Sequence, residues 1–236
     1  MCTVTYLPTE DGYILTSNRD EWPGRPTSKP TLHNGQNRLK LLYPADGIAG
    51  GSWIAVSNTG ATACMLNGAF ELHVRNSPYR RSRGLVLLDA FEYERFEDFV
   101  QQYNFNQIEP FTLLFLIGGQ LQELRWEGTQ THYRLPEPNK PHIWASATLY
   151  TPEYIAKRTI WFEEWLLSHP VYEPQSIMEF HHTGGEGDKY NDIIMNREGM
   201  VQTVSITCVV RRNHYLDMFY EDLLTGDVVK EGVKVI

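Results

Sequence analysis

The chain has 236 residues, 42% of them hydrophobic and 12% aromatic, a globular composition with ample material for a buried core. Its formal net charge of −8 leaves no basic excess to pair with phosphates, which argues against a nucleic-acid partner. Three cysteines (Cys2, Cys64 and Cys208) are an odd number without close spacing, so neither a disulfide framework nor a zinc pattern is visible.

The opening MCTVTYLPTEDG has no basic segment followed by an apolar one. The longest apolar run, residues 111–117, is too short to cross a bilayer, and a cytoplasmic location with no membrane span is expected. Residues 2–7 and 13–17 read as two strands joined by the turn signal Thr9-Glu10-Asp11-Gly12. That hairpin returns Asn18-Arg19-Asp20-Glu21 towards the start of the chain. Residues 22–46, rich in Pro, Asn and Gly, read as a long irregular loop of the kind that often carries function. Strands are expected at 52–56 and 61–66, closed by Asn67-Gly68. The apolar spacing predicts helix over 80–103, with a break near Tyr93-Glu94.

Strands follow at 111–117, 121–126, 131–135 and 143–147. Pro152 after Thr151 opens a helix to about Ser168, and 176–180 is a shorter one. Residues 181–192 (HHTGGEGDKYND) read as a polar loop, and the chain ends in strands at 201–211, 214–220 and 228–235. Tight turns between neighbours give an antiparallel α+β layout. No linker divides the chain, so residues 1–236 are read as one domain.

The chemistry concentrates at Cys2. Removal of Met1 would leave a thiol and a free α-amine on one residue, a nucleophile and its base together. A cysteine hydrolase also needs a group favouring thiolate, an orienting group and oxyanion donors. Arg19, Asp20 and Asn67 are the candidates that the strand order brings nearby. His181-His182 with Glu186 and Asp188 lack a third histidine at ligand spacing, so no metal site is assigned. Gly184-Gly185-Glu186-Gly187 lacks the lysine of a phosphate-binding loop.

These residues carry a resemblance. TSNRDE (Thr16–Glu21) shortly after MC, then Pro23 and Arg25-Pro26, is similar to the NRDE family, the relatives of transport and Golgi organisation protein 2. GGSWIAVS from Gly50, Asn67 after the next strand, Arg81-Ser82-Arg83-Gly84, the segment from Ser146 to Pro152 and the strand near 203–209 resemble family segments in the same order. The family is in turn similar to N-terminal nucleophile (Ntn) hydrolases. That resemblance implies a four-layer αββα sandwich of two antiparallel sheets flanked by helices. It implies catalytic roles for Cys2, Arg19, Asp20 and Asn67. Trp53, Arg81, Arg83 and Ser146 are the candidate substrate-binding residues; the run Arg80, Arg81 and Arg83 reads either as a solvated face at a helix start or as a binder of a substrate carboxylate.

Two departures stand out: Ala147 where the family commonly has Asn, and Gln202 where relatives often have Arg. One missing oxyanion donor costs on the order of 10²–10³ in rate. Two functions therefore stay open. One is an amidohydrolase for a non-peptide C–N bond, needing no cofactor. The other is a carrier or trafficking protein for a hydrophobic ligand such as haem or an acyl lipid, with Cys2 or His181 as an axial ligand.

Overall fold

The computed structural model describes residues 3–236. Strand β1 (Thr3–Thr9) turns through Glu10 and Asp11 into β2 (Gly12–Glu21), pairing from Thr9↔Gly12 to Thr3↔Asn18. Strand β2 is longer than the sequence pattern predicts. It runs through Asn18-Arg19-Asp20-Glu21, whose polar side chains hide the apolar alternation. Alternation then sends Arg19 and Asp20 to opposite faces of the sheet.

The expected loop over 22–46 contains a hairpin, β3 (Thr31–Asn34) and β4 (Lys40–Tyr43). Strands β5 (Ile54–Ser57) and β6 (Thr62–Asn67) follow. Helix α1 (Arg83–Asp89), a 3-10 turn (Ala90–Glu92) and α2 (Phe96–Gln102) confirm the interrupted helix, with the extended Tyr93 at the break. Strands β7 (Phe111–Ile117), β8 (Gln120–Trp126), β9 (Thr131–Arg134) and β10 (His142–Ala145) precede the long helix α3 (Pro152–Ser168). Helix α4 (Pro174–Thr183) extends past its predicted end and takes in both His181 and His182. The chain closes with β11 (Asn196–Arg197), β12 (Val201–Arg212), β13 (Tyr215–Asp222) and β14 (Val228–Lys234).

The strands form two seven-stranded antiparallel sheets. The first has the order β10-β1-β2-β12-β13-β14, with β11 on β12; the second runs from β3 to β9 in sequence order. Three apolar clusters set the layers. Val4, Tyr6 and Leu15 of the first sheet meet Ile54, Leu66 and Leu114 of the second. The outer face of the second sheet packs Ala63, Met65 and Phe115 on Val86, Phe91 and Phe99 of the α1–α2 segment. The outer face of the first packs Leu7, Ile14 and Cys208 on Phe162, Ile177 and Phe180 of α3 and α4. The result is the αββα sandwich. Each layer boundary follows from strands that are apolar on both faces. No helix is long and apolar enough to cross a membrane among the described residues.

Candidate active site

A cleft of about 290 Å³ opens where the end of β2, the loop before β5, the end of β6 and the start of α1 converge. Arg19, Trp53, Asn67, Arg81 and Arg83 all line it, so five of the expected site residues come together. Asp20 and Ser146 do not. Cys2 lies outside the described residues.

Arg19 extends from β2 and is 3% exposed. Its guanidinium carbon lies 4.6 Å from the centroid of the Trp53 ring. Nη2 donates to Asp46 Oδ2 at 2.8 Å, while Nη1 is buried without a hydrogen-bond partner among the described residues. Burial pulls the Arg19 pKa below the ordinary arginine value, against the opposing charges of Glu21 and Asp46.

Asp46 was not singled out from the sequence, and it is the hub of this wall. It accepts from Arg19, from Arg25 Nε at 2.6 Å and Nη2 at 3.1 Å, and from the amides of Ile48 and Ala49 at 3.1 and 2.8 Å. Burial pushes its carboxyl up. The Arg25 hydrogen bond, the Ala49 amide and the charges of Arg25 and Arg19 outweigh that, holding it below the usual carboxylate range. Arg25 also reaches Glu21 at 3.3 Å.

The facing wall is built on α1 and the segment before it. Arg83 Nη2 lies 3.3 Å from Glu109, and Nη1 donates to the Pro110 carbonyl at 3.2 Å. Arg81 is held by Asp89 through two donors at 2.5 Å, and Tyr103 donates to the same carboxylate at 2.7 Å. Arg81 thus braces α1 more than it faces a ligand. Asn67 ends β6 and makes no side-chain hydrogen bond among the described residues, which leaves its amide available to the cleft. Backbone fixes the separation of the loop and the helix: Ser52 N–H donates to the Gly84 carbonyl at 3.1 Å, and a Cβ on Gly51 would lie 2.3 Å from the Gly84 carbonyl carbon.

Asp20 faces the helices instead. It accepts from Tyr150 Oη at 2.8 Å and from Thr203 Oγ1 at 2.6 Å. Beneath the same face, the fully buried Arg158 of α3 donates from Nε to Thr3 Oγ1 at 3.1 Å and from Nη2 to the Asp192 carbonyl at 2.8 Å. Its guanidinium carbon stacks 3.5 Å from the Tyr150 ring centroid. Arg158 and Tyr150 are thus further anchors at the start of β1. A helical Arg and a lone Tyr carry no sequence signal for that role. Ser146 is buried and donates to the Asn67 carbonyl at 2.8 Å, so it holds the strand end and does not line the cleft. Ala147 is buried beside Gly68 and is likewise not part of the lining.

His181 is fully buried with both ring nitrogens bonded. Asn18 Nδ2 donates to the His181 and Ile193 carbonyls at 3.2 and 2.9 Å. Asn18 Oδ1 therefore accepts from His181 Nδ1 at 2.5 Å, and Nε2 accepts from Thr5 Oγ1 at 2.7 Å. Burial pushes its pKa down to about 3. With no nitrogen left over, His181 is corrected from a candidate axial ligand to a neutral core histidine. His182 points elsewhere, to Glu221 at 2.8 Å, and no group of three or more metal-ligating side chains is found among the described residues. Cys64 and Cys208 are buried, and burial pushes both thiols up to about 12.

The family model described as Transport and Golgi organisation 2 matches residues 1–167. No curated protein matches the chain by sequence. Solved structures do match. A cysteine-to-alanine mutant of conjugated bile acid hydrolase from Clostridium perfringens superposes with a TM-score of 0.62 at 11% identity, over 98% of this chain and 92% of that one. The Caenorhabditis elegans ortholog of N-acylethanolamine-hydrolyzing acid amidase gives 0.51 at 11% identity, over 89% and 93%. At such identities the likeness is one of fold, the frame of the Ntn hydrolases.

Proposed function

The chain belongs to the Transport and Golgi organisation 2 family, and from that premise we propose that it is a cysteine Ntn amidohydrolase cleaving a non-peptide C–N bond. The observation that carries the reading is Arg19. A buried guanidinium on the cleft wall keeps one nitrogen without a partner among the described residues, which suits a charge that a reaction would bring. A second polar group, the Asn67 side chain, lines the same cleft.

With Met1 removed, the Cys2 α-amine takes the thiol proton and the thiolate attacks the amide carbonyl carbon. Arg19 favours the thiolate, and the Asn67 amide donates to the oxyanion. The C–N bond breaks, the proton passes to the departing nitrogen, and a thioester remains. Water then attacks the thioester with the same amine as base, the C–S bond breaks, and a carboxylic acid leaves with the thiol restored. Asp20, which accepts from the Tyr150 and Thr203 hydroxyls on the other face, supports the strand that carries Arg19. The fold of the two neighbours, both named as hydrolases or amidases, supports this class.

Intact mass, thiol labelling and turnover test it together. Processed protein should lack Met1, and Cys2 should label far faster than Cys64 and Cys208, whose buried thiols stay protonated. A panel of acylated amines should yield free amine. Retained Met1, slow Cys2 labelling and no turnover, with haem bound at stoichiometry, would instead identify a carrier.

A further inference from the structure

The two ends of the cleft differ in chemistry. At one end Asp46 saturates Arg25 and half of Arg19. At the other, residues 75–84 carry two hydroxyls, of Tyr79 and Ser82, that donate to no protein atom among the described residues. Tyr79 Oη accepts from the Asn76 amide at 2.8 Å and Ser82 Oγ from the Leu85 amide at 3.4 Å. Among the described residues, neither hydroxyl proton has an acceptor. Arg83 and Arg75 meet Glu109 only at 3.3 Å each, and they share that carboxylate with His73 at 3.4 Å. Five arginines line the cleft against three carboxylates, on a chain whose formal charge is −8. Arg81 is already neutralised by Asp89, and a cation surplus remains. A concave site with surplus cations and unaccepted donors selects a ligand that only accepts.

We infer that Arg75, Tyr79, Ser82 and Arg83 form an anion subsite, and that the substrate carries a small oxyanionic group, a carboxylate or a phosphate, away from its scissile bond. This rests on the amidohydrolase reading for the word substrate, and the binding itself does not. Planar guanidinium donors suit either anion, and hydroxyls on the same wall complete its coordination. Burial pulls the Arg83 pKa below the ordinary value, against the opposing charge of Glu109.

The test uses full-length Cys2→Ala protein, which binds without turnover, and reads intrinsic tryptophan fluorescence or calorimetry. The probes are N-acetylglycine, methyl phosphate and the neutral N-acetylglycinamide. At least one anion should bind about tenfold or more tightly than the neutral amide. Which anion does so identifies the group. That preference should shrink as ionic strength rises from about 0.01 M to about 0.5 M, and fall several-fold in Arg83→Gln. Arg75→Gln alters a side chain that is 73% exposed, so it keeps the test valid should Arg83→Gln not fold. Equal binding of charged and neutral probes overturns the inference, as does an anion affinity that both substitutions leave unchanged. The hydrolase reading stands or falls separately, on Cys2 labelling and release of amine by the unmutated protein.

Discussion

The two faces of β2 at Arg19 and Asp20 are neighbours in sequence and opposites in chemistry. On the helix side, Asp20 accepts from Tyr150 and Thr203 and His181 is held by Asn18 and Thr5, while Nη1 of the fully buried Arg158 has no hydrogen-bond partner among the described residues. On the cleft side, Arg19 Nη1 and the Asn67 side chain have no hydrogen-bond partner among the described residues. Satisfied buried networks fix a structure, whereas unsatisfied polar groups destabilise it unless something else uses them. What separates the support from the working surface is access: the cleft opens beside Arg19, whereas Arg158 is fully buried.

Substitution can break that contrast. Asp20→Ala removes the acceptor that two buried hydroxyls use, and should lower stability by about 3 kcal/mol in urea denaturation. Next comes His181. Its pKa is held down to about 3 in the fold, below the ordinary value near 6.5. Its contribution is therefore complete above about pH 6.5 and is lost as pH falls towards 3, because the unfolded chain then binds the extra proton. Urea midpoints across that window should fall less steeply in His181→Gln than in the unmutated protein, by up to about 1.4 kcal/mol per pH unit.

Arg19→Met is expected to cost about 1 kcal/mol, since Asp46 keeps Arg25 and two backbone amides. The same change should slow Cys2 labelling about tenfold, a readout that a merely structural arginine would not move. The smallest stability effect belongs to Asn67→Ala, within about 0.5 kcal/mol, since its side chain bonds nothing else among the described residues. Its loss should appear in kcat, by roughly 10²-fold or more. If Asn67→Ala destabilises the fold while kcat is unchanged, the division between the two faces fails on the cleft side.

Much of the frame was legible in the residues. The Thr9–Gly12 turn, the β7–β8 pair and the Pro152 helix start carry strong local chemistry, and the structure places all three where they are expected. Thr151 occupies the N-cap there without a side-chain bond. The hairpin β3–β4 was not legible, because Pro, Asn and Gly dominate the composition of residues 22–46. Nor was the continuation of β2, where both faces are buried and polar. His181 misleads for a related reason: a histidine matched by an Asn and a Thr looks, in one dimension, like a free ligand. Asp46 left no motif at all. Its role arises only when a distant turn folds against Arg19 and Arg25.

The contact between Gly51 and Gly84 has a consequence for engineering. Two stretches of main chain meet there with no side chain between them, so the gap has no adjustable spacer. Any residue with a Cβ at Gly51 would force the loop off α1 rather than trim the cleft. Repertoires of variants aimed at larger or smaller ligands should therefore find their hits at cleft-lining side chains such as Met65, Arg75 and Tyr79, and few or none at the glycine pair.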